Sequence, residues 1–183
     1  MKLTHLMLFS TLPLLAPALD AAEPATRDAA ATWDLTPLFA DDAAWRAAKD
    51  RLAAGLPKIK EFEGKLGQSS GALLAAMDYV EDLRNTYIRL AVYASLKLDE
   101  NTRDASSLER QQEIGLLGTE FSRTTSFIDP ELLAVGETKI RQFLDAEPRL
   151  KPYRFRLLET LRAAPHTLGA EAEGVLSAAG LVT

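Results

Sequence analysis

A chain of 183 residues with 47% hydrophobic content holds enough material for one domain with a buried core, which excludes a wholly disordered protein. A net charge of −5 argues against a nucleic-acid binder: the densest positive cluster, Lys58, Lys60 and Lys65, is interrupted by Glu61 and Glu63 and reads as a solvated helix face. Cysteine is absent and only His5 and His166 occur, so disulfides, thiolate catalysis and Cys-bound zinc are excluded.

In chain order, Lys2 followed by the apolar run Leu6 to Leu15, broken by Pro13, reads as a secretory signal peptide over residues 1–18. The run is too short to span a bilayer, so no stable membrane anchor is expected. Ala16-Pro17-Ala18 supplies the small-x-small cleavage pattern, with cleavage expected after Ala18 and Ala21 or Ala22 as the next choices. The chain is thus expected to be periplasmic or secreted. Residues 19–32 mix alanine with charge and a proline without apolar period and read as a flexible leader.

The fold is expected to begin at Trp33. Thr36 before Pro37 predicts a capped single helical turn carrying Leu38 and Phe39. Asp41 or Asp42 can cap a helix through Trp45, Ala48 and Leu52, and Pro57 should kink or split its continuation through Ile59, Phe62 and Leu66. After Ser69-Ser70, Leu73, Met77, Val80, Tyr87 and Ala91 keep a helical period, with Leu83 and Leu90 beside them, up to the polar stretch Leu98 to Thr102. Ile114, Leu117, Phe121 and Ile128 predict a third helix, in which Gly115 and Gly118 permit close helix approach.

Asp129-Pro130-Glu131 reads as cap, first-position proline and dipole-facing carboxylate of a short helix stopped by Gly136. Ile140, Phe143 and Leu144 mark another before Pro148. Leu150, Tyr153, Leu157 and Leu161 mark a further one ending near Pro165, and one more begins around Gly169. No strand or hairpin pattern stands out. The expected class is all-α, an antiparallel bundle or array of about six to seven helices.

No phosphate loop, nucleophile elbow or histidine pair on a helix is present, so no catalytic and no metal-binding residue is assigned, and substrate-binding residues stay unknown. The acidic pairs Asp41/Asp42 and Glu171/Glu173 could serve as acid and base or as hard-metal ligands, but both stand at predicted helix starts, where the dipole favours carboxylates. His166 lies in a predicted loop and cannot make a zinc site alone. Tyr87 and Tyr93 could present hydroxyls in a cleft, with core packing behind a polar tip as the simpler reading.

Trp33-Asp34-Leu35-Thr36-Pro37-Leu38-Phe39 resembles the opening Trp-Asp-Leu-Ser/Thr-x-Leu-Phe/Tyr of the oligoendopeptidase F family of thimet oligopeptidase-like zinc metallopeptidases. Phe62-Glu63-Gly64-Lys65-Leu66, Tyr93-Ala94-Ser95-Leu96 before Asp99 and Glu100, Asp129-Pro130-Glu131-Leu132-Leu133 and Arg162-Ala163-Ala164-Pro165-His166-Thr167-Leu168 follow in the family's order. Gly169 stands where the family favours a capping serine, and Ala164 where it favours lysine.

The resemblance implies that residues 33–183 are the N-terminal helical domain of an exported peptidase acting on short peptides. It also implies that His-Glu-x-x-His and its zinc belong to a C-terminal catalytic domain absent from this sequence, the domain's expected partner. On that reading the chain is truncated, inactive alone, and exposes the Leu150-Tyr153-Leu157-Leu161 face. The competing reading is a stand-alone periplasmic helical module that binds a peptide or protein without cleaving it.

Overall fold

The computed structural model describes residues 32–163. The first described feature is the expected single turn, in which the Leu35 carbonyl accepts from the backbone N–H groups of Leu38 and Phe39 at 2.9 and 3.1 Å. The side chain that holds the turn is Asp34 and not Thr36. One Asp34 carboxylate oxygen accepts from Thr36 N–H at 3.1 Å and from the Thr36 hydroxyl at 2.6 Å, because Asp bonds the backbone two residues ahead more strongly than a hydroxyl does. Leu35 is buried, whereas Trp33 stays exposed, its backbone N–H donating to Glu100 at 3.0 Å.

Helix α1 (Asp42–Gly55) starts where Asp41 Oδ1 accepts from Ala44 N–H at 2.8 Å. Trp45, Ala48, Leu52 and Gly55 recur at helical spacing and are buried. Pro57 splits the segment as expected: α1 ends at Gly55 and a 3-10 helix (Leu56–Phe62) carries Leu56 and Ile59 into the core. Gly55 lets α1 approach its neighbour, since an added Cβ would lie 2.9 Å from Leu83 Cδ2.

Helix α2 (Ser70–Glu100), capped by Ser69, runs 31 residues, about 46 Å at 1.5 Å per residue, and is the spine of the fold. It extends through Leu98, Asp99 and Glu100, which the sequence reading placed in a loop. A Lys97–Glu100 ion pair at 3.2 Å supports this last turn. A short turn leads to α3 (Ala105–Thr125), capped by Asp104, which returns antiparallel along α2. At Gly118 the helices nearly touch, for a Cβ there would meet the Tyr87 hydroxyl at 2.5 Å; Gly115 faces open space.

Ile128 was expected on α3 but opens the next helix, α4 (Ile128–Val135). This helix starts without a side-chain cap, and Asp129 lies inside its first turn instead of capping it. Gly136, with φ of +83°, ends it as the sequence predicts. Helix α5 (Glu137–Ala146) precedes a second 3-10 helix (Pro148–Tyr153), and α6 (Arg154–Ala163) is the last described element. Pro148 and Pro152 keep Leu150 and Tyr153 out of one regular helix with Leu157 and Leu161.

Six α-helices, two 3-10 helices and no strand occur among the described residues, so the all-α class holds. One core, from Leu35 and Trp45 through Leu90 to Leu157, runs along α2. The face expected to be exposed is not: Leu150 and Leu157 are fully buried, and Tyr153 and Leu161 pack against the core. The large apolar groups left in water are Leu116 and Phe155, with Trp33, Ile88, Val92 and Leu108 less so. No described helix is long and apolar enough to cross a membrane.

Candidate functional site

Between α1 and α2 lies a groove of about 540 Å³, within the size range of small-ligand sites. Ala48, Leu52, Leu83 and Phe39 make its apolar lining, and Arg51, Lys58, Arg89 and Asp82 stand around it. Gly55 against Leu83 and Trp45 Nε1 donating to the Leu90 carbonyl at 3.0 Å fix an antiparallel register. That register brings Arg51 level with Thr86 and Arg89, and Lys58 toward Tyr79 and Asp82. Arg89 donates to the Leu38 carbonyl at 2.7 Å and lies over the Phe39 ring at 5.4 Å. The Tyr79 hydroxyl donates to the Gly55 carbonyl at 3.0 Å; burial, then Glu61 and Asp82, raise its pKa.

The other polar cluster joins α1, α2 and α3. Asp42 Oδ1 accepts from the Tyr93 hydroxyl at 2.8 Å and Oδ2 from Arg110 Nη2 at 2.7 Å. Burial acts to raise the Asp42 pKa, but the Tyr93 hydroxyl and the Arg110 guanidinium outweigh it and hold the carboxyl below its ordinary value. Tyr93 is pushed up to about 12 by burial and by the Asp42 carboxylate. Ser106 and then Ser107 bond Asp104 and bring its carboxyl down to about 2. Every member is occupied by another, which is the arrangement of a structural joint.

The residues singled out in the sequence therefore part company. Asp41 caps α1, and Asp42 faces Tyr93 and Arg110. Tyr93 is buried, its ring 6.4 Å from Trp45, while Tyr87 stacks on Phe121 at 6.2 Å. His166, Glu171 and Glu173 lie outside the described residues, as does the helix expected from Gly169. Among the described residues no group of three or more His, Cys, Asp or Glu could hold a metal, and the acidic pair at 41 and 42 is engaged otherwise. These residues do not fit a zinc ion.

Sequence reasoning missed Arg51, Asp82 and Arg89 as members of one groove. Isolated charges on two helices carry no mutual signal until the register is known. Lys58 was visible only as part of a positive run.

The motifs that carry the family resemblance meet one another. Glu131 accepts from the backbone N–H groups of Gly64 and Leu66 at 2.8 and 2.7 Å, joining Asp129-Pro130-Glu131 to Phe62-Glu63-Gly64-Lys65-Leu66. Gly64, at φ +76°, is what lets that backbone present its donors. Phe39 of the opening motif packs edge-on to Tyr93 at 5.6 Å, and Trp33 bonds Glu100. These stretches are joints of the fold.

Comparison with known proteins follows the same lines. Residues 131–183 match the family described as Oligopeptidase F. Group B oligopeptidase PepB of Streptococcus agalactiae is 35% identical over 80% of this chain and 24% of its own length. Oligopeptidase PepF of Bacillus subtilis is 29% identical over 82% and 22%, respectively. The crystal structure of oligoendopeptidase-F from Enterococcus faecium superposes with a TM-score of 0.68 at 26% identity, covering 78% of this chain and 28% of that one. The chain spans about a quarter of the length of the curated relatives it matches. In sequence and in fold, it belongs to the oligoendopeptidase F family and carries the N-terminal helical domain.

Proposed function

We propose that this helical domain serves an exported peptidase of the family that hydrolyses short peptides, forming one wall of the cleft that admits them. The observation that carries the reading is the match of four-fifths of this chain to about one quarter of PepB. The zinc and the residues that activate water belong, on this reading, to the C-terminal domain that longer relatives carry, and this chain alone does not hydrolyse peptides. Its sequence contains no His-Glu-x-x-His, and three-ligand catalytic zinc has no donor set among its described residues. Export rests on Lys2, the Leu6 to Leu15 run and Ala16-Pro17-Ala18.

The apolar groups left in water, Leu116 and Phe155 above all, are suited to packing against such a second domain. Mixing this chain with a separately expressed C-terminal part of a relative tests the assignment. A rise in hydrolysis of a fluorogenic peptide above that of the C-terminal part alone is expected, since both walls position the substrate. An unchanged rate would sink the cleft-wall assignment. N-terminal sequencing of the secreted chain should begin at Leu19 or a few residues later.

A further inference from the structure

We infer that the groove between α1 and α2 binds the carboxylate end of a short peptide, with the free α-carboxylate held between Arg51 and Arg89 and an apolar side chain lying against the half-buried Phe39. Nine cations of the described residues have a carboxylate within 4 Å: Arg46, Lys49, Arg84, Lys97, Arg110, Arg123, Arg141, Arg149 and Arg162. Arg51, Lys58 and Arg89 are among the ten that have none, with Lys60, Lys65, Arg103, Lys139, Lys151, Arg154 and Arg156, and these three line one groove. In a chain of net charge −5, three cations against the single carboxylate of Asp82 around one cavity leave a local positive excess that attracts an anion.

The register described above puts Arg51 and Arg89 at one end. Arg89 is oriented by the Leu38 carbonyl and the Phe39 ring, so its planar donors are already ordered. Two guanidinium groups match a carboxylate by paired N–H donors. Asp82 lies seven residues before Arg89 on α2, about 10 Å along the axis, and gives the other end a negative charge suited to an ammonium group. Two to three extended residues span that length at about 3.5 Å each. Asp82 and the half-buried Phe39 ring favour an amphipathic zwitterion over inorganic phosphate, to which a carboxylate and an aromatic face offer nothing. The choice of a peptide among carboxylate ligands rests on the proposed function; the carboxylate itself does not. A second groove, beside Lys151, Arg154 and Phe155, is smaller at about 340 Å³ and lacks any acidic residue to orient a zwitterion.

The test uses the 183-residue chain itself. Trileucine with a free C-terminus is titrated and followed by amide NMR shifts of Gly55, Thr86 and Arg89, in parallel with trileucine amide and with inorganic phosphate. Saturable shifts with the free acid are expected, with binding about tenfold weaker for the amide and for Arg51→Gln, the loss of one charge-assisted contact. Arg51 is exposed, and unchanged shifts away from the groove verify that the variant is folded. Absence of saturable binding, or equal affinity for acid and amide, overturns the assignment. Displacement of the peptide by equimolar phosphate identifies a general anion site and overturns it as well. None of these readouts depends on peptidase activity, so failure of the groove and failure of the cleft-wall reading are told apart.

Discussion

Two clamps of the same composition hold partners onto α2, and they differ in how much water they see. Toward its C-terminal end, Tyr93 donates to Asp42 at 2.8 Å while Arg110 takes the other carboxylate oxygen at 2.7 Å. Nearer its start, Asp78 accepts from Tyr153 at 2.7 Å and from Arg149 at 3.2 Å. Both tyrosines are pushed up to about 12, by burial first and by the bonded carboxylate next. Yet the Arg110 side chain is 8% exposed and that of Arg149 is 73% exposed. A guanidinium in water gains little from a carboxylate it could exchange for solvent, whereas one held out of water depends on it. The same three side chains thus lock α1, α2 and α3 in one place and only trim the attachment of the second 3-10 helix in the other.

The largest break in that comparison is Arg110→Ala. Removing a buried partner costs several kcal/mol when the remaining charge is also buried. Asp42 is 39% exposed and can recruit water, so about 2 kcal/mol is expected in urea unfolding. Glu131→Gln comes next. The amide has a single acceptor oxygen, so one of the two bonds from Gly64 and Leu66 is lost and the other keeps no charge assistance, and about 1 to 2 kcal/mol should be lost by the same measurement.

Tyrosine-to-phenylalanine changes sharpen the contrast through pH. A tyrosine whose folded pKa stands above its unfolded value of 10 contributes stability fully present below pH 10 and lost as pH rises toward 12. The urea midpoint should therefore fall across pH 10 to 12. Tyr93→Phe and Tyr153→Phe should each remove part of that fall, at a cost near neutrality of about 1 kcal/mol for Tyr93→Phe and less for Tyr153→Phe. A midpoint that stays level over this window in the wild-type chain would contradict both raised values. The smallest effect expected is that of Arg149→Ala, under about 0.5 kcal/mol and reduced further in 1 M salt. An Arg149→Ala loss equal to that of Arg110→Ala would show that exposure does not set the difference.

Much of this was legible in residue order alone, and each success has a local cause. The start of α1 at Asp41 or Asp42, the division at Pro57, the start of α2 at Ser69-Ser70 and the stop at Gly136 follow from groups that satisfy or deny backbone hydrogen bonds within a few positions. The all-α class and the family assignment followed from apolar period and from motif order. Some readings failed locally, as where Asp34 and not Thr36 holds the first turn and Asp129 does not cap α4, and others where a neighbour distant in sequence takes part. Glu100 remains helical with Lys97 and Trp33 bonded to it, and Leu157 is buried where it was expected to be exposed.

By itself the sequence determined the class, the helix boundaries set by Asp, Ser, Pro and Gly, and the family, because capping, periodicity and motif order act over short stretches of chain. Only the tertiary structure decided that Glu131 would bond the backbone at Gly64, that Asp42 would meet Arg110, and that Arg51 and Arg89 would share a groove. Those pairings depend on the register between helices, which is fixed by close contacts such as Gly55 against Leu83 and Gly118 against Tyr87. A contact between residues about thirty apart leaves no local signature, since neither side chain alters the hydrogen bonding or periodicity of its own helix.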